Sequence, residues 1–96
     1  MLFCAIWQQP WENVDRFNEK RKLWYETVKP ATMKVVGAYS LQGPESKGIV
    51  LFETERAEDV NLFRNYFALA GATIDIRVAT ELGASIELVQ SIQARW

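Results

Sequence analysis

Met33-Lys34-Val35-Val36-Gly37-Ala38-Tyr39-Ser40-Leu41 and Gly48-Ile49-Val50-Leu51-Phe52-Glu53 are two β-rich runs, separated by the turn formers Gln42-Gly43-Pro44-Glu45-Ser46-Lys47. Branched and aromatic residues bounded by Gly, Pro and Ser read as the strands of a hairpin. The second run stays apolar until Glu53, which is the pattern of a strand covered on both faces. The first run is mixed. Met33, Val35, Gly37, Tyr39 and Leu41 alternate with Lys34, Val36, Ala38, Ser40 and Gln42. A mixed strand suits a sheet edge, where Lys34 blunts pairing with other chains. Gly37 inside it marks a bulge or a close approach of another group. The connection 42–47 is too long for a two-residue turn and reads as a mobile loop.

Upstream, residues 1–7 form a second run that is apolar on both faces, with Leu2, Cys4 and Ile6 on one and Phe3, Ala5 and Trp7 on the other. Its shortness and the break at Gln8-Gln9-Pro10 favour a central strand over a helix. Pro10 suits the first position of the helix that follows, where a missing N–H costs nothing. That helix is predicted over 10–28, with Val14, Phe17, Trp24 and Val28 on one stripe. Acidic residues lie toward its start and basic ones toward its end, as the helix dipole prefers. The run Glu19-Lys20-Arg21-Lys22 reads as a solvated face. Pro30 ends the helix.

Downstream, Thr54 or Glu55 caps a second helix with an acidic first turn, a buried stripe of Val60, Phe63 and Phe67, and Gly71 as its stop. Residues 72–79 alternate: Ile74, Ile76 and Val78 face one way, and Thr73, Asp75, Arg77 and Ala79 the other. That is a half-buried strand. A third helix runs from Glu81 or Ala84 to Trp96, with Ile86, Val89, Ile92 and Trp96 at helical spacing.

The order β-α-β-β-α-β-α makes an α+β fold, a single domain over residues 1–96. Its first six elements match the split βαβ, or ferredoxin-like, arrangement. A four-stranded antiparallel sheet of that kind has its first and third strands in the middle, and these are the two runs that are apolar on both faces. Both helices then cover one face. The other face carries a contiguous apolar patch, which monomers rarely expose. A homodimer formed through that open face is expected, the third helix covering it in cis or wrapping around the partner.

Composition excludes several functions. The chain has no histidine, which removes Ser-His and Cys-His catalysis, His-based metal sites and His-ligated haem. One cysteine, Cys4, allows no intramolecular disulfide and reads as a buried thiol. A net charge of −1 gives no basic field for nucleic acid or a membrane surface. Residues 1–7 lack the flanks of a signal peptide and the length of a membrane span. The expected location is cytoplasmic.

With the pattern placed, the chain resembles a family of short bacterial and archaeal proteins of unknown function, similar to dimeric α+β-barrel proteins. The resemblance rests on the starting Met1-Leu2-Phe3 strand, Gly37-Ala38-Tyr39-Ser40, the 48–53 strand, the acidic helix start at Glu58 and the 74–78 strand. It implies a homodimer of ferredoxin-like domains. Relatives often carry a histidine after the aromatic of the Gly-x-aromatic motif. Ser40 stands there, so their acid–base or metal role does not carry over. The wider group includes cofactor-free monooxygenases, isomerases, haem-degrading enzymes and ligand-sensing domains.

The expected function is a homodimeric module that binds a small apolar or planar ligand or a protein partner, without a cofactor or metal. The alternative is a cofactor-independent enzyme of the monooxygenase or isomerase kind. Candidate ligand-binding residues are Tyr39, Ser40, Glu53, Asp75 and Arg77, with Trp7 and Trp24 as walls. Tyr39 would hydrogen-bond the ligand, while Glu53 or Asp75 could move a proton. Each also has a plain structural role available: Asp75 and Arg77 as an ion pair, Glu53 as a helix cap, Tyr39 as an edge-strand residue. A closed apolar cavity of roughly 300 Å³ with Tyr39 or an acid facing inward would favour the enzyme.

Overall fold

The computed structural model describes residues 1–94 and, of Ser85, the backbone alone. Strand β1 spans Leu2–Gln9. A 3-10 turn, Trp11–Asn13, leads into α1, Val14–Leu23, which continues as a π-helical turn, Trp24–Val28. Strands β2 (Lys34–Ser40) and β3 (Ser46–Glu53) form the hairpin. Helix α2 (Ala57–Leu69), strand β4 (Thr73–Val78) and helix α3 (Leu82–Ala94) follow. Trp96, expected on the third helix's stripe, lies outside the described residues. No described helix is long and apolar enough to cross a membrane.

The sheet is antiparallel throughout, in the order β2-β3-β1-β4. The two doubly apolar strands are therefore central, as their pattern requires. Pairing sets the faces: Ala5 opposes Val50 and Ile76, while Ile6 opposes Ile49 and Asp75. Phe3, Ala5, Trp7, Val50, Phe52, Ile74 and Ile76 point to α1 and α2. Leu2, Cys4, Ile6, Ile49 and Leu51 point the other way, and all are only partly buried.

The core is aromatic. Trp24 meets Phe63 edge-on at 5.5 Å and 89°, Phe63 lies 4.8 Å from Phe67, and Trp7 lies 4.7 Å from Phe17. Such pairs are worth about 0.5–1.5 kcal/mol beyond their buried area. Trp24 is fully buried and its indole N–H has no hydrogen-bond partner among the described residues.

Alternation along the hairpin does not run through β2 as the sequence suggests. The register shifts between Val35 and Gly37, leaving Val36 unpaired. Val35 and Ala38 oppose core-facing Phe52 and Val50, whereas Gly37 and Tyr39 oppose Leu51 and Ile49 on the open face. A one-residue bulge reverses the facing of everything beyond it. Met33 and Val35 thus do not share a face with Gly37 and Tyr39.

Helix α2 starts later than expected, at Ala57, and Glu53 does not cap it. Its residue Asp59 is 3% exposed and accepts hydrogen bonds at one oxygen from the Thr32 and Thr54 hydroxyls, both at 2.6 Å. The Thr54 hydroxyl also accepts from the Arg56 N–H. Burial works to raise the Asp59 carboxyl, but the two hydroxyls, with Arg56 and Lys29 nearby, hold it below the usual carboxylate range. At the other end of α2, Gly71 has φ +96°, the left-handed geometry of a helix stop.

Helix α3 stands apart. Leu82, Ile86, Leu88, Val89 and Ile92 are all exposed. The radius of gyration, 15.8 Å, and the long dimension, 52 Å, reflect this projection. A compact chain of this length would have a radius of about 12–13 Å.

Candidate functional site

The seven residues expected to form one site are divided among three places. Trp24 is in the core and walls nothing open. Glu53, Asp75 and Arg77 lie on the open face of the sheet. Asp75 and Arg77 pair with each other at 3.1 Å, and Glu53 ends β3 between Leu2 and Lys34. Trp7 and Ser40 come together on the helix side. Tyr39 is split: its backbone borders the same hollow as Ser40, while its ring covers Gly37 on the open face.

Trp7 and Ser40 line two adjoining hollows between α1 and the hairpin. The outer one, about 280 Å³, reaches from Trp11 and Asn18 to the loop at Gln42 and Glu45. Trp11 is held at its rim because its indole N–H donates to the Pro44 carbonyl at 2.7 Å. Its lining includes a buried polar pair: the Gln9 amide donates to the Ser46 hydroxyl at 3.2 Å. The inner hollow, about 70 Å³, lies beside Arg21 and Tyr25. Burial raises the Tyr25 phenol above its ordinary value, and Arg21 acts in the opposite direction. Tyr25 is thus a hydrogen-bond donor at neutral pH. Deeper in, the void among Trp7, Phe17, Val50, Phe63 and Phe67 is only about 10 Å³, so the layer below the groove is closely packed there.

Trp11, Asn18, Arg21 and Tyr25 escaped sequence reasoning. A signal existed in the spacing. Phe17, Arg21 and Tyr25 recur every four residues, so a core residue and these two share one helix flank. Reading Glu19-Lys20-Arg21-Lys22 as a uniform solvated run concealed it.

The open face is the second candidate. Cys4, Ile6, Ile49 and Leu51 form its centre, with Leu2 and the Tyr39 ring beside them. Lys34, Lys47, Glu53, Asp75 and Arg77 lie around it. An apolar centre with a charged rim is the anatomy of a protein interface. Among the described residues no group of three or more Cys, Asp or Glu side chains gathers to hold a metal ion. No family model, curated protein or solved structure matches this chain.

Proposed function

We propose that this chain is a self-associating module of the ferredoxin-like, dimeric α+β-barrel kind, in which the open sheet face meets a second copy. The apolar centre of that face, ringed by charges of both signs and only partly buried among the described residues, carries this reading. Burying each such side chain is worth roughly 1.5–3 kcal/mol before the cost of association. Light scattering after size exclusion tests it. The expected mass is twice the 11.1 kDa of one chain, and a monomer at micromolar concentration rejects it.

The groove supports a second role, holding a small planar ligand between Trp7, Trp11 and Ser40. Its buried polar pair and aromatic rim favour binding. The close packing below it and the outward Tyr39 ring weigh against the oxygenase or isomerase alternative. Native mass spectrometry of protein purified from its own host tests this role through a mass retained on the chain.

A further inference from the structure

We infer that α3 is an exchanged arm, packing in the dimer on the β2 edge of the partner subunit. The inference rests on the face-to-face dimer proposed above and identifies what completes it. A 13-residue helix is marginal in water on its own. Its apolar stripe, Leu82, Ile86, Val89 and Ile92, is exposed. In this arrangement its own subunit leaves that stripe uncovered.

Area points the same way. Four strands about 4.8 Å apart and about 18 Å long present a footprint of roughly 350 Å². Even with side-chain relief this falls short of the about 800 Å² per partner of a standard interface. Helix α3, about 20 Å long and about 10 Å across, contributes roughly 200 Å² of footprint and covers as much on the partner. Together, sheet and arm reach the size that a stable pair requires.

The landing place follows from the edges. The Ala79 N–H bonds the Leu2 carbonyl at 2.9 Å, so the chain stays paired with β1 there and α3 departs from the β4 edge of the sheet. A two-fold axis along the strands sets β4 of each subunit above β2 of the other. There Val36 and Tyr39 are exposed on β2, and Leu41 is exposed just past its end. A two-fold across the strands would set β4 above β4, whose side chains on that face, Thr73, Asp75 and Arg77, have nothing apolar to bury. Proteins commonly blunt an open edge by covering it with a helix.

The test is photocrosslinking in the full chain with Ile86→p-benzoylphenylalanine, position 86 being exposed. A second chain with the probe at Val89 guards against misfolding of the first. Equal amounts of ¹⁵N-labelled and unlabelled chain are unfolded together, refolded, sized by light scattering and irradiated. The expected result is a dimer with crosslinks to peptide 35–47, roughly half of them of mixed label, the share that random pairing of two subunits gives. A dimer with same-label crosslinks alone puts α3 on its own subunit and overturns the arm while leaving the dimer standing. A dimer with no crosslinks, or with mixed ones elsewhere, also overturns it. A monomer overturns the dimer itself and the arm with it.

Discussion

The indole of Trp7 occupies the space where a side chain on Gly48 would begin. A methyl built at Gly48 would lie 2.4 Å from the Trp7 ring and 2.5 Å from the Tyr39 carbonyl, and the latter is backbone that cannot swing aside. Gly48→Ala is therefore expected to push Trp7 off Phe17 and cost about 1–3 kcal/mol. Thermal unfolding at fixed protein concentration reads this as a drop in Tm of roughly 4–8 °C per kcal/mol. An unchanged Tm would mean that Trp7 is not held there.

Asp59 ties the turn before β2, the end of β3 and the start of α2 through Thr32 and Thr54. Replacing it with Asn leaves the geometry but removes the charge that the two hydroxyls serve, and should cost about 1–3 kcal/mol at neutral pH. The pH dependence has a definite sign. The folded carboxyl titrates below its unfolded value. Its contribution is complete above the unfolded pKa of about 3.9 and is lost as pH falls through the lower folded value. Denaturant midpoints of the wild type should converge on those of Asp59→Asn in that acid range.

Ile6 and Leu51 sit near the centre of the open face. Ile6→Asp or Leu51→Asp should give a folded monomer of 11.1 kDa with an unchanged far-ultraviolet spectrum. Cys4, between them and the sole thiol, reports the same event. It should react faster with a thiol reagent in the variants than in the wild type, and faster in the wild type on dilution. A dimeric charge variant with a protected Cys4 would reject this face as the contact.

The Tyr25 phenol is raised by burial, with Arg21 opposing the rise. Arg21→Ala should move its titration further upward. Chemical shifts of ¹³C-labelled tyrosine would show this, with Tyr39→Phe and Tyr66→Phe used to assign the signals. A downward shift would mean that the two residues do not share the inner hollow.

The sheet was legible because an apolar strand without alternation has one place to go, the middle. Residues 1–7 and 48–53 showed that pattern plainly. Gly37 correctly marked a bulge. Its consequence for Tyr39 was not legible, since alternation carries no sign that one residue has been skipped. Asp59 looked like an ordinary first-turn acid. Its burial depends on Thr32 and Thr54 converging from distant parts of the chain, which no local pattern records. Trp24 was rightly placed on the buried stripe, but depth cannot be read from periodicity, so it looked like a wall. The groove was the least legible feature, because its rim joins a helix flank to a loop some thirty residues away.

The bulge at Val36 also bears on how many copies can join. An unbroken edge strand is a template for another strand, and another after that, without limit. At β2 the ladder is interrupted after two residue pairs, so a newcomer finds no straight row of donors and acceptors. Association by faces under a two-fold, by contrast, uses up the surface that drives it and ends at two. At β2, a single skipped residue thus removes the straight row on which a further strand would pair.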